Sequence, residues 1–172
     1  MNQAERYPAL AKDDDGLLEE IHATLTRHVE GDPYNSDGPF ATNISLLPHG
    51  LRAMAATHWL DMSLTLDSLT WHFGNFGEPA LVALTEEGLL ELGLDELAGV
   101  FREASTLMAP FVDQMSPESP PDKLLEKAGL RERGDELDHK AAELSEVGPN
   151  QSAIYAAWVR YAREHPERVF VP

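Results

Sequence analysis

The chain has 172 residues, no cysteine and a formal net charge of −17, from 30 acidic and 13 basic side chains. This length predicts one domain with a substantial core, the absence of cysteine excludes disulfides and cysteine-ligated metals, and the negative charge argues against direct binding to nucleic acid or to an anionic membrane. No apolar run is long enough for a transmembrane helix, and the first residues do not resemble a signal peptide, so we expect a cytoplasmic protein.

The first part of the chain predicts a loose segment, a helix and a long loop. Residues 1–15 contain the acidic run that ends at Asp15 and are predicted to be loose. From Leu17 onward apolar residues recur at helical spacing, and Gly31 is a natural stop for that helix. Residues 31–46 are rich in turn formers and predict a long loop, which is typical of functional or mobile segments.

The middle of the chain predicts a series of helices. Pro48 suits the first turn of a helix. Residues 62–73 fit either a strand or a helix, and their helical surroundings favour a helix. Pro79 opens the next helix, Gly93 ends it, and Asp95 is the predicted N-cap of the helix that follows.

The last third predicts a linker followed by further helices. Prolines mark a linker near residues 116–122, and the stretch QSAIYAAWVRYAREH predicts a final amphipathic helix. Because no hairpin pattern is present, residues 16–172 are predicted to form a single all-α domain of six to seven helices.

Two Glu-x-x-His pairs raise the question of a metal site, because di-iron helical bundles use two such pairs pointing inward. The pairs are Glu19/His22 and Glu136/His139. On a helical wheel Glu19 and both members of the second pair point away from the apolar face. We therefore predict no metal site and no cofactor.

Other candidates for chemistry are equally weak. His28 and His58 lie on predicted apolar faces, where a half-buried histidine bonded to a backbone carbonyl is the usual arrangement. The chain has no nucleophile elbow and no glycine-rich phosphate loop. We predict no catalytic residue and a protein that is not an enzyme. An uncharacterised enzyme is the third interpretation, after the two binding functions given below.

An aromatic cluster, Trp71, Phe73 and Phe76, has two interpretations. Large aromatic side chains usually belong to a core, and they are also enriched at interfaces between subunits. Both interpretations stay open at this point.

The negative charge is concentrated in the middle of the chain, where residues 61–110 contain nine acidic side chains and one basic one, Arg102. Carboxylates at i, i+4 on a helix lie about 5–6 Å apart, which is close to the scale of phosphate spacing in nucleic acids. A rigid carboxylate array could therefore replace phosphates on a DNA-binding protein, although a solubilising surface or an adaptation to high salt would give the same composition. On the helical wheel Glu96 and Glu103 share one stripe, and Arg102 lies on the other side of that helix. The predicted partner-binding residues are Glu86, Glu87, Glu91, Asp95, Glu96 and Glu103.

Several motifs resemble those of a known family. They are Leu47-Pro48 at a helix start, Asp61 before an apolar-aromatic helix ending in Asn75, Leu89–Leu94, and Val100–Ala104. With these motifs, the segment Leu47–Ala104 resembles the bacterial DNA-mimic protein family and its wider set of uncharacterised small helical proteins. One motif differs: Leu66-Asp67-Ser68-Leu69 replaces the Asn-Gly-Gly-Phe of the family, so the backbone here is either ordinary or differently bent.

The resemblance implies an all-α, acidic, non-enzymatic protein that forms a homodimer. It also implies a basic partner, a DNA-binding protein whose binding surface the acidic face would occupy. The alternative is an immunity-type protein that neutralises a toxin or effector, with residues 31–46 and the aromatic cluster making a shape-specific contact.

Overall fold

A computed structural model of the protein describes residues 3–35 and 38–170. In that part of the chain the structure has nine α-helices of six or more residues, one four-residue helix and a two-stranded antiparallel sheet. The helices are α1 (Gln3–Arg6), α2 (Asp14–His28), α3 (Phe40–Ser45), α4 (His49–Leu66), α5 (Leu69–Phe76), α6 (Pro79–Glu91), α7 (Asp95–Met108), α8 (Pro121–Ala128), α9 (Arg131–Ser145) and α10 (Ala153–Glu164). The strands are β1 (Glu146–Gly148) and β2 (Gln151–Ser152).

The predicted all-α class is confirmed, but six to seven helices is too few. One extra helix, α3, forms inside the predicted loop 31–46, because Phe40, Ala41 and Ile44 bury one short apolar face. The region after the linker contains two helices, α8 and α9. They are separated by Gly129, which adopts a left-handed conformation with φ of 72° and ends α8. Residues 36–37 of the predicted loop lie outside the described residues.

The N-terminal segment is more ordered than its sequence predicts. Besides α1 it contains a 3₁₀ turn, Pro8–Ala11, and Tyr7 is buried. Arg163 of α10 donates hydrogen bonds to the carbonyl oxygens of Leu10 and Lys12 and pairs with the Asp14 carboxylate at 2.6 Å. These contacts fix residues 7–14 against α10, although residues 1–2 lie outside the described part.

Helix α4 occupies the centre of the domain and packs against α2, α3, α5, α6, α9 and α10. It is apolar on most of its circumference, as expected for a helix surrounded by others. The approach of α6 is especially close, because Gly88 lies directly over the backbone of Ala53. No helix in the described ranges is long and apolar enough to cross a membrane.

The ambiguous stretch 62–73 is helical, as predicted, with a break between α4 and α5. Ser68 caps α5 by accepting a hydrogen bond from the Trp71 backbone N–H. Both Asp67 and Ser68 have negative φ values, −141° and −149°. The backbone here therefore does not need the two glycines that the family usually has at this point.

Candidate functional site

The six predicted partner-binding carboxylates lie on α6 and α7, which pack side by side. We call this group, Glu86, Glu87, Glu91, Asp95, Glu96 and Glu103, the acidic face. Its members differ in what surrounds them, and the structure divides them into two sets of three.

Two carboxylates of the acidic face are paired with arginines of neighbouring helices. Arg102 of α7 contacts Glu86 of α6, with Nη2 and Oε1 2.6 Å apart. The side chain of Arg102 thus reaches across the seam between α7 and α6, a pairing that the helical wheel of α7 alone does not show. In the same way, Arg133 of α9 pairs with Glu103 of α7 and with Glu136 of its own helix. These pairs link α6, α7 and α9.

Glu91 connects distant parts of the chain. Its carboxylate accepts hydrogen bonds from the Tyr161 hydroxyl and from Arg168 Nη1, the latter at 2.9 Å. The Tyr161 hydrogen bond, followed by Arg168, lowers the pKa of Glu91 despite partial burial. Glu91 therefore ties the end of α6 to the C-terminal residues, and its charge is already compensated within the chain.

The remaining three carboxylates, Glu87, Asp95 and Glu96, are exposed. Within the described ranges none of them forms an ion pair or a side-chain hydrogen bond. Asp95 is the first residue of α7, and Leu94 rather than Asp95 is the N-cap. Asp95 and Glu96 thus lie in the first helical turn, where the helix dipole favours negative charge. These are the carboxylates of the acidic face that are free to bind a cation.

The aromatic cluster belongs mainly to the core. Phe73 and Phe76 are 2% and 3% exposed and pack against His72 and Phe101. Because both are buried inside a single chain, the core interpretation describes Phe73 and Phe76. Trp71 is half-buried and is the one member of the trio that reaches the surface.

The members of the two Glu-x-x-His pairs lie mainly on the surface. Glu19, Glu136 and His139 are exposed, in agreement with the helical wheels. His139 pairs with Glu143 on its own helix. Among residues 3–35 and 38–170, no three His, Asp or Glu side chains are placed to hold a metal ion together.

A half-buried polar cluster connects α2, α4, β2 and α10, and sequence reasoning did not find it. Tyr155 Oη lies 3.0 Å from His58 Nδ1. The Asp61 carboxylate, which is 5% exposed, accepts a hydrogen bond from Ser152 Oγ. His58 is thus half-buried as predicted, but its partner is a tyrosine 97 residues away rather than a backbone carbonyl. His28, the other histidine predicted on an apolar face, is exposed.

Burial dominates the titration of this cluster. Desolvation lowers the pKa of His22 and of His58, and for His58 the neighbouring His22 lowers it further. Desolvation raises the pKa of Asp61, against the opposing effect of its hydrogen bonds from Ser152 and Tyr155. The two imidazoles are therefore neutral at neutral pH.

The comparisons with known proteins identify one relationship. A family model described as DMP19-like protein matches residues 45–165, which include the whole segment that resembles the DNA-mimic family. No curated protein and no solved structure gives a significant match to the chain.

Proposed function

Because the chain belongs to the DMP19-like protein family, we propose that it is a DNA mimic that acts by binding. Its acidic face occupies the nucleic-acid-binding surface of a basic protein and keeps that surface from DNA. In this proposal the carboxylates stand in for backbone phosphates, and the chain itself does not contact nucleic acid.

The observation that carries the proposal is the set of unpaired carboxylates at Glu87, Asp95 and Glu96. They are exposed on two adjacent helices. Arginine guanidinium groups that recognise phosphates also form bidentate hydrogen bonds with carboxylates. A DNA-binding protein that presents such arginines would therefore find matching acceptors on this surface.

The paired carboxylates of the acidic face link neighbouring helices and add no free charge. Arg102 and Arg133 cross-link α6, α7 and α9 through Glu86 and Glu103. Such cross-links hold the helices in register, so that little conformational entropy is lost when a partner binds. The net charge of −17 adds long-range attraction, which speeds the encounter with a basic protein.

The test compares two triple variants of equal net charge. In the first, Glu87→Lys, Asp95→Lys and Glu96→Lys remove the free carboxylates of the acidic face. The matched control reverses three other exposed and unpaired carboxylates, with the changes Glu19→Lys, Glu30→Lys and Glu146→Lys. The wild type and both variants are immobilised, exposed to a lysate of the source organism and eluted with rising salt, and the eluted proteins are identified by mass spectrometry.

We expect the wild type and the control to retain the same basic DNA-binding protein, and double-stranded DNA to displace it. The first variant should bind that protein at least about tenfold more weakly, a loss of about 1.4 kcal/mol. Equal binding by both variants would overturn the proposal. A partner that resists high salt and is not displaced by DNA would instead favour the immunity-type alternative, because a hydrophobic interface depends little on ionic strength.

A further inference from the structure

A groove of about 260 Å³ opens beside the two half-buried histidines. Residues of α2 and α4 form most of its walls, together with Gly31 and with Phe40 at the start of α3. The lining is apolar apart from His22, His58 and Thr26. Although the protein is strongly acidic, no carboxylate among residues 3–35 and 38–170 lines this groove. The groove is thus chemically unlike the rest of the surface.

The imidazoles leave hydrogen-bonding atoms unused. The rings of His22 and His58 have centroids 5.8 Å apart, and within the described ranges the His22 ring makes aromatic contacts but no hydrogen bond. Tyr155 occupies only Nδ1 of His58. In the described part of the chain the one buried side-chain atom without a partner is Nε2 of His72, elsewhere in the core. The free nitrogens of His22 and His58 must therefore reach accessible space.

A hydrogen bond to Tyr155 holds the His58 ring from behind. Tyr155 Oη lies 3.0 Å from His58 Nδ1, and the hydroxyl can either donate to this nitrogen or accept from it. When the ring is protonated, Nδ1 donates to Tyr155 Oη and Nε2 is left to donate to a ligand.

We propose that this groove binds a single-ring aromatic carboxylic acid, with its acid group at His58 Nε2 and its ring on the apolar wall. The ligand binds as its carboxylate, and His58 takes up one proton from the solvent, so that the carboxylate pairs with an imidazolium. An O–H bond of hydronium breaks, an N–H bond of His58 forms, and no other reactant is needed. This site is independent of the acidic face.

The size and lining of the groove select this class of ligand. Its volume lies just below the range of about 300–1,000 Å³ that is typical of pockets for drug-sized molecules, so one ring fits better than two. Phe40 and Trp59, whose ring centroids are 6.4 Å apart, supply aromatic surface. Among the described lining residues an amine would find no carboxylate, and a metal ion would find too few ligands.

The test uses benzoate as the probe, with benzyl alcohol and benzylamine as molecules of similar size and different charge. Ligand-observed NMR measures binding to the full chain. Histidine ring ¹H–¹⁵N spectra report whether His58 Nε2 becomes protonated when benzoate is added. The variants are His58→Gln and His22→Gln, and the matched control is His28→Gln, an exposed histidine of α2 outside the groove. Thermal unfolding shows that each variant is folded.

We expect benzoate to bind saturably, with a dissociation constant on the order of 1 mM or tighter, and to protonate His58. His58→Gln should weaken binding at least tenfold, His28→Gln should leave it unchanged, and benzylamine should not compete. Above the pKa of His58 the affinity for benzoate should fall with rising pH, because the bound state holds one extra proton. The other titratable groups that face the His58 ring are His22, Tyr155 and Asp61. Absence of saturable binding, or equal binding by His58→Gln and His28→Gln, would overturn the proposal.

Discussion

His72 is the most unusual single residue in the core. It is completely buried, and its Nδ1 lies 2.9 Å from Ser63 Oγ. Since Ser63 Oγ donates its own proton to the Trp59 carbonyl, Nδ1 must carry the imidazole proton. Nε2 is left as an acceptor with no donor. Burial lowers the pKa of His72 to about 3, and the ring is therefore neutral in the folded protein at neutral pH.

We predict that His72 contributes to acid denaturation. In the unfolded chain the imidazole takes up a proton below about pH 6.5, whereas in the folded protein its pKa is about 3. Between these values the unfolded state binds more protons, so the free energy of unfolding falls as the pH falls, by as much as about 1.4 kcal/mol per pH unit from this group. Urea unfolding of the wild type and His72→Leu between these pH values measures the difference in slope.

The control for this experiment is His139→Gln, which removes an exposed histidine with the same change in titratable groups. Its slope should match that of the wild type. If His72→Leu also matches the wild type, His72 is not the buried neutral group described above.

The sequence predicted the exposure of some residues but not their long-range partners. A helical wheel correctly placed Glu87 and Glu96 on the outside, because exposure follows from the helical period alone. It could not show that Glu91 is held by Tyr161, a residue 70 positions away. The same holds for His58 and Tyr155, since neither residue has a local signal that indicates the other.

At the level of elements, the seam between α4 and α6 depends on one glycine. A Cβ atom added at Gly88 would lie 3.0 Å from the carbonyl oxygen and 3.1 Å from the Cα of Ala53. These are backbone atoms that cannot rotate away. The two helices can therefore keep their present separation only while residue 88 has no side chain.

We predict that Gly88→Ala destabilises the protein by about 1–3 kcal/mol, the usual cost of overpacking. The control is Gly99→Ala in α7, where the added Cβ would have no described atom within 4 Å apart from its two chain neighbours and the backbone of its own helix. Because alanine is the better helix former, the control should gain about 0.5–1 kcal/mol. Denaturant unfolding of both variants tests the pair. Equal effects would mean that the approach of α6 to α4 is looser than the structure has it.

Periodicity predicted the longer helices well, because α2, α6, α7 and α10 each bury one apolar stripe and end at recognisable signals. The short helix α3 was missed, since six residues within a segment rich in turn formers carry too little periodic signal. The two strands β1 and β2 were missed for a similar reason. They contain only five residues and serve mainly to turn the chain so that Ser152 caps α10.

At the scale of the whole molecule, the net charge of −17 works against folding as well as for binding. Compact states bring like charges closer together than unfolded chains do. We predict that salt stabilises the fold, by on the order of 1 kcal/mol between low and physiological ionic strength, as the Debye length falls from about 30 Å to about 8 Å. Thermal unfolding at several NaCl concentrations measures this effect.

The triple variant Glu19→Lys, Glu30→Lys, Glu146→Lys is the control for this prediction as well. Each reversal removes one negative charge and adds one positive charge. The variant therefore has a smaller net negative charge and less self-repulsion than the wild type. Its stability should respond less to salt. An equal response would mean that salt acts by another route, such as exclusion of the ions from apolar surface.

Helical periodicity predicted the fold class and composition predicted the excess of negative charge, but neither predicted which carboxylates are free. The excess of acid in residues 61–110 suggested six equivalent carboxylates, whereas only three of them are free. The arginines that pair with the others include Arg133 and Arg168, which lie far along the chain. Only the packing of the helices brings these partners together.

The docking of α2 on α10 has a consequence for synthesis. The ring of His22 packs on Tyr155 and Trp158, and Asp14 pairs with Arg163, 149 residues later. At about 5–20 residues per second, roughly 7 to 30 s pass between the appearance of these two residues at the ribosome. During that time α2, which buries Leu17, Ile21 and Leu25 in the finished domain, lacks one of the helices that pack against it. A growing chain of this protein is therefore exposed to chaperones and to aggregation until α10 emerges.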